Sequence, residues 1–166
     1  MPKTYEPIAT QTLGTASATV TFTSIPQTYT DLVLVISGTT SVTGASIFMR
    51  FNSDTSSLYS DTHFSGGSGS VATARDTNSG NGLRVGSSVV GATANVQQNS
   101  IHNIQNYTNT SVFKTVLSRF NTDTEVMASI GLYRSTNAIT TINLYNGASA
   151  NFGIDTMFTL YGIKAA

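Results

Sequence analysis

Short runs in which apolar and polar residues alternate, broken by turn-forming residues, cover most of this 166-residue chain. A period of two places successive side chains on opposite faces of a strand, which is the mark of a half-buried sheet. The pattern predicts strands over 18–23, 32–37, 47–52, 58–64, 100–107, 112–120, 126–134, 139–146 and 157–163. Weaker strands fall over 71–74 and 83–85, inside the polar stretch 71–99 that the pattern defines least. Asn81-Gly82 and Asn146-Gly147 mark tight turns, because both residue types tolerate positive φ. Pro26 sets a corner between the Thr-rich run 18–23 and the hydrophobic run 32–36, so that stretch is a sandwich crossing. No segment keeps a helical period for three turns. The predicted fold class is all-β: a single jelly-roll-like β-sandwich of about eight to ten strands, with a closed barrel as the alternative. Within 112–120 both faces of the strand are mixed, and the pattern does not choose which is the inner one.

Residues 1–17 stand apart, with Pro2, Pro7 and Gly14 interrupting any period. They read as an extended N-terminal arm, reaching roughly 55–60 Å if fully stretched, ahead of a sandwich domain over 18–166. Tyr5, Ile8 and Leu13 have no periodic partner within the arm, so they are the expected partner-binding anchors, with Lys3 and Glu6 as polar pins. Strand addition to a neighbour's sheet would satisfy the arm's backbone groups. The competing reading folds the arm back on its own sandwich.

Composition narrows the function classes. Only 10% of residues are charged, against about 25% in ordinary domains, so the surface is solvated by hydroxyls and amides. Eight acids balance eight bases, and without a basic stripe a nucleic-acid partner is not expected. The longest apolar run, 32–36, is far too short for a membrane helix, and the N-terminal residues lack a signal-peptide core. The chain has no cysteine, so disulfides and thiolate metal sites are absent.

Candidate chemistry is thin. Asp61 and His63 share a strand face and offer two metal ligands, with His102 as a conceivable third; a plain polar strand face is the stronger expectation, and no metal or cofactor is predicted. Gly67-Ser68-Gly69-Ser70 has neither the register of a nucleophile elbow nor a following Lys-Ser/Thr for a phosphate cradle, and reads as a loop tip. Asp54, Asp61, Asp76, Asp123, Glu125 and Asp155 supply carboxylates without a defined pair. Tyr59, Tyr107, Tyr133 and Tyr145 are expected to pack across strands with hydroxyls at the rim. The expectation is a protein that is not an enzyme.

Three segments, TFTSIPQTYTDLVLV (21–35), IFMRFNSDTSSLYS (47–60) and the C-terminal half from IQNYTNTSVFKTVLSRFN (104–121) through TNAITTINLY (136–145) to FTLYGIK (158–164), together resemble structural proteins of tailed-bacteriophage particles. The resemblance spans most of 18–164 and omits the arm. It implies a virion building block made in the host cytoplasm: a capsid decoration (cement) protein, a homotrimer bound to the major capsid protein through arm and sandwich base. The alternative it implies is a tail or tail-fibre component whose sandwich binds a host-surface glycan.

Overall fold

A computed structural model of the chain describes residues 4–67, 69–86, 94–147 and 149–164. Among these residues every regular element is a strand: β1 (Tyr5–Thr12), β2 (Thr19–Phe22), β3 (Asp31–Gly38), β4 (Ile47–Phe51), β5 (Tyr59–Gly67), β6 (Ser70–Ser79), β7 (Leu83–Arg84), β8 (Gln98–Ile104), β9 (Lys114–Asn121), β10 (Glu125–Tyr133), β11 (Ile142–Asn146) and β12 (Met157–Ile163). They build an eight-stranded sheet, β1-β12-β3-β8-β9-β10-β5-β6, facing a four-stranded one, β2-β11-β4-β7. All strand pairs are antiparallel. The all-β sandwich expected from the pattern is therefore the fold. The chain passes repeatedly between sheets: β2 lies at an edge of the small sheet and β3 in the middle of the large one, so the corner 24–28 is the crossing that the sequence predicts.

The strand count, twelve, exceeds the expected range because both weak runs form strands, β6 and β7, and because residues 5–12 add β1. Residues 5–12 are not a free arm. They pair with β12 from Tyr5↔Ile163 to Thr12↔Met157, with a bulge between Pro7 and Ala9. Beyond the strand, Leu13 N–H donates to the Thr156 carbonyl at 3.0 Å and Ser17 pairs with Phe152. The physical reason is edge closure: without β1, β12 would present a row of unpaired backbone groups. Pro7, which interrupts the sequence pattern, is tolerated because β1 is itself an edge strand with a bulge.

Alternation sorts the side chains cleanly. The inner faces supply Leu32, Leu34, Ile36, Phe158 and Leu160 from the large sheet and Val20, Phe22, Met49, Phe51, Ile142 and Leu144 from the small one. Tyr59 and Tyr133 stack at 4.7 Å against Phe51. Of the tyrosine hydroxyls expected at the rim, that of Tyr59 is interior, accepting from the Phe51 N–H at 3.0 Å, while Tyr107 donates to the Pro26 carbonyl and Tyr133 to Asp54 Oδ2 at 2.8 Å closer to the surface. Asn52, in the Phe-Asn-Ser-Asp stretch, adopts positive φ and ties the neighbouring loop through Ala138 O, Thr140 N and Thr141 N.

Candidate functional site

The feature that stands out is the outer face of the large sheet. On β9 the inward residues are Lys114, Val116, Ser118 and Phe120, while Leu117 points to solvent; on β10 Val126 and Ile130 point out. Register carries this face across the sheet. One row runs Tyr161, Val33, Asn103, Leu117, Ile130; the next runs Val35, Ile101, Arg119, Ala128, Phe64. Among the described residues, seven of the eleven exposed large hydrophobic ones lie here: Tyr5, Phe64, Val71, Leu117, Val126, Ile130 and Met157. Val126 is 67% and Val71 83% exposed. Isolated exposed apolar residues need no explanation, but a contiguous group marks an interaction surface. A trough of about 740 Å³ runs over it, lined by Val35, Phe64, Val71, Ile101 and Val126, with Arg119 the charged group. Polar residues interrupt the patch: Asn103 stands between Val33 and Leu117, and Ser37, Asn99 and Asn121 stand between Met157 and Val126.

The predicted arm residues divide differently. Ile8 and Leu13 pack against the chain's own core, so they are not free anchors; burial within the same sandwich satisfies them. Glu6 accepts from Lys164 Nζ at 3.0 Å and from Tyr29 Oη at 3.2 Å, pinning the two ends of the chain together. Tyr5 remains exposed at the outer face, its ring edge-on to Tyr161 at 6.4 Å. Lys3 lies outside the described residues. So does Ser68 of the predicted loop tip, where Gly69 at φ +80° turns β5 into β6, and so do residues 87–93 of the ill-defined stretch.

Asp61 and His63 do share a face, but it is the inner one: their side chains are 1% and 3% exposed, and His63 Nδ1 lies 3.3 Å from Asp61 Oδ1. The polar strand face expected at the surface is thus buried. Burial lifts the Asp61 carboxyl above the usual range, against the lowering effect of the Arg84 N–H and of His63. Asp76 lies opposite Asp61 across β5 and β6 and receives Arg84 Nη2 at 2.8 Å. His102 is not part of this group; Ser129 and Ser118 stand between it and His63 in the same row. Its ring nitrogens meet Ser118 Oγ at 2.9 Å and Ser100 Oγ at 2.8 Å. Among the described residues no three His, Asp or Glu side chains converge as a metal site. The row His63, Ser129, Ser118, His102 crosses four strands as polar interior.

Sequence reasoning missed the outer face because it depends on which residues of β9 and β10 point outward. The signal was present in the alternation Leu117, Val126, Ile130 against Phe64, and needed the sheet order to be read.

No family model matches the chain, and no curated protein matches it. Among solved structures, a protein of unknown function from Shewanella oneidensis MR-1 aligns over 98% of this chain and 71% of its own, at 11% identity and a TM-score of 0.27. The alginate lyase Aly36B aligns over 90% of this chain and 78% of its own, at 9% identity and a TM-score of 0.28. Neither likeness is close enough to carry an argument.

Proposed function

We propose that this chain is a particle-building protein of the tailed-phage type, a capsid decoration protein that works by binding and performs no catalysis. The observation that carries the reading is the apolar outer face of the large sheet; the phage resemblance of the sequence supplies the setting. The occupant of the face is a second copy of the chain. Eight strands about 4.8 Å apart and about 24 Å long offer roughly 800 Å², which matches the area each partner contributes to a standard stable interface. Apolar residues interspersed with a few amides and arginines are the composition of many non-obligate interfaces. The face carries two arginines, Arg119 near its centre and Arg75 toward the β6 edge, so two copies that meet there must keep these guanidiniums solvated or paired at the rim of the contact. Self-association gives each unit several contacts with the major capsid protein, and their combined strength exceeds that of one. With residues 5–12 committed to the chain's own sheet, binding falls to the sandwich rather than to an arm.

The test has two readouts. Light scattering at about 100 µM, well above the Kd of a stable pair, is expected to give an oligomer for the parent chain and a monomer of unchanged melting temperature for Val126→Asp/Ile130→Asp. Quantitative mass spectrometry of particles that carry the chain is expected to give a ratio near one copy per capsid subunit. A monomeric parent chain removes self-association from the proposal. A few copies to a few dozen per particle would refute the decoration role and place the chain on the tail.

A further inference from the structure

The outer face of the small sheet is of the opposite character. Arg50 of β4 lies over the ring of Tyr145 of β11, with its guanidinium carbon 4.4 Å from the ring centre. Tyr145 in turn stacks on Phe48 at 5.4 Å, and its hydroxyl donates to the Asn81 carbonyl. The 81–82 turn closes on the arginine stem: Gly82 has φ +93°, and a Cβ there would stand 2.9 Å from Arg50 Cγ. The guanidinium is thereby fixed by packing instead of by a counter-ion. Its Nε is buried without a hydrogen-bond partner, and the ion pairs formed among the described residues involve other groups. An ordered cation that has been given no acid is an unusual expense of desolvation unless a ligand completes it.

Arg50 lines a groove of about 440 Å³, within the size range of small-molecule sites, about 300–1,000 Å³. The other walls carry hydroxyls and an amide, from Thr19, Thr21, Ser53, Thr55 and Asn143. Asn143 is itself held in place, donating through Nδ2 to Thr21 Oγ1 at 3.0 Å and accepting from Ser53 Oγ at 3.1 Å.

We infer that this groove is a binding site for an acidic sugar unit, a pyranose bearing a carboxylate, with Arg50 as the carboxylate's partner. The planar guanidinium fork fits a carboxylate bidentately. A single cation neutralises a single anion, whereas a phosphodiester polymer calls for several. The hydroxyl-rich walls match a polyhydroxylated ring, and an acidic peptide offers them few partners. The inference is independent of the particle reading above, since it uses the other face of the sandwich.

The test is an NMR titration of the full chain with uronate and sialate trisaccharides, a neutral galactose trisaccharide, sodium acetate and a short acidic peptide. At least one acidic trisaccharide is expected to shift the Arg50, Asn143 and Tyr145 signals saturably. The neutral sugar and Arg50→Gln are each expected to weaken binding by at least about tenfold, and Arg50→Lys by less. Thermal melts check that both variants fold; if Arg50→Gln does not, Arg50→Lys and the mapped shifts of the parent chain decide. The inference is overturned by any of four results. These are no saturable shift with any acidic sugar at about 10 mM, shifts that map outside the groove, an unchanged affinity in the folded variants, or acetate or the peptide binding as tightly as the sugars.

Discussion

His102 makes the stability of this sandwich depend on pH in a way that the structure quantifies. The ring is fully buried and each nitrogen faces a serine hydroxyl. A neutral imidazole is satisfied by that pair, one nitrogen donating and the other accepting, whereas an imidazolium brings a charge with no acid beside it. Burial accordingly pushes its pKa from 6.5 down to about 3. The unfolded chain takes up a proton near 6.5 that the folded chain refuses until about 3, so the contribution is complete above 6.5 and is lost as pH falls between those values. The slope there is about 1.4 kcal/mol per pH unit. Between pH 7.5 and pH 5 the loss is about 2 kcal/mol, and by pH 4 about 3 kcal/mol. Urea unfolding of the parent chain and of His102→Gln at both pH values isolates it, because Gln keeps a donor and an acceptor but does not titrate. Asp61, whose raised carboxyl pKa acts in the opposite direction, is common to both proteins and separated from His102 by two strands, so its effect cancels in the difference. The parent chain is expected to lose about 1 M more of its urea midpoint than the variant, for a slope near 2 kcal/mol per M. Parallel pH dependence in the two proteins would refute the reasoning.

Two further outcomes follow from the same packing. Lys114 is buried with its ammonium donating to the carbonyls of Asn109, Val112 and Thr136 at 2.5, 2.9 and 3.2 Å, so Lys114→Met strands three acceptors and is expected to cost about 2–4 kcal/mol in urea unfolding; a loss below about 1 kcal/mol would show that the carbonyls find water instead. Removing residues 1–12 strips β1 from β12 and uncovers the core beside Ile8, a loss of about 3 kcal/mol and hence of about 6–12 °C in Tm; in the intact monomer, hydrogen exchange is expected to show protected β1 amides facing β12, and free exchange along 5–12 would restore the extended arm.

Much of the sandwich is legible from local pattern because strand alternation is written directly into residue order. Runs such as 126–134 and 157–163 need nothing but their own side chains to declare a strand. β1 is not legible in that way: its partner β12 lies about 150 residues later in the chain, and Pro7 and Gly14 disguise an edge strand as a linker. The faces of β9 are hidden for another reason. Each face mixes polar and apolar residues, so polarity does not choose between them, and the sheet turns Lys114 and Ser118 inward with Val116 and Phe120 while Leu117 faces out. Lys114 turns inward because three carbonyls wait for it, and Ser118 because His102 does. The Arg50–Tyr145 contact joins positions 95 residues apart and depends on β4 and β11 being neighbours, which no local rule foretells.

The two outer faces together explain why a chain with so few charges carries its polarity where it does. An ordinary sandwich buries its apolar residues between the sheets and wets both outer surfaces. Here the inner layer tolerates a polar row from His63 to His102 while the large sheet's outer face keeps Phe64, Leu117, Val126 and Ile130. Neither arrangement benefits an isolated monomer. The buried row costs desolvation that is recovered only through hydrogen bonds such as those of His102, and the exposed group gains only when something covers it. The small sheet reverses the pattern, presenting Arg50 and hydroxyls in a groove whose aromatic floor is held by the 81–82 turn. The two outer faces therefore differ in kind: one would gain by being covered, and the other holds a cation and hydroxyls that water or a polar ligand satisfies.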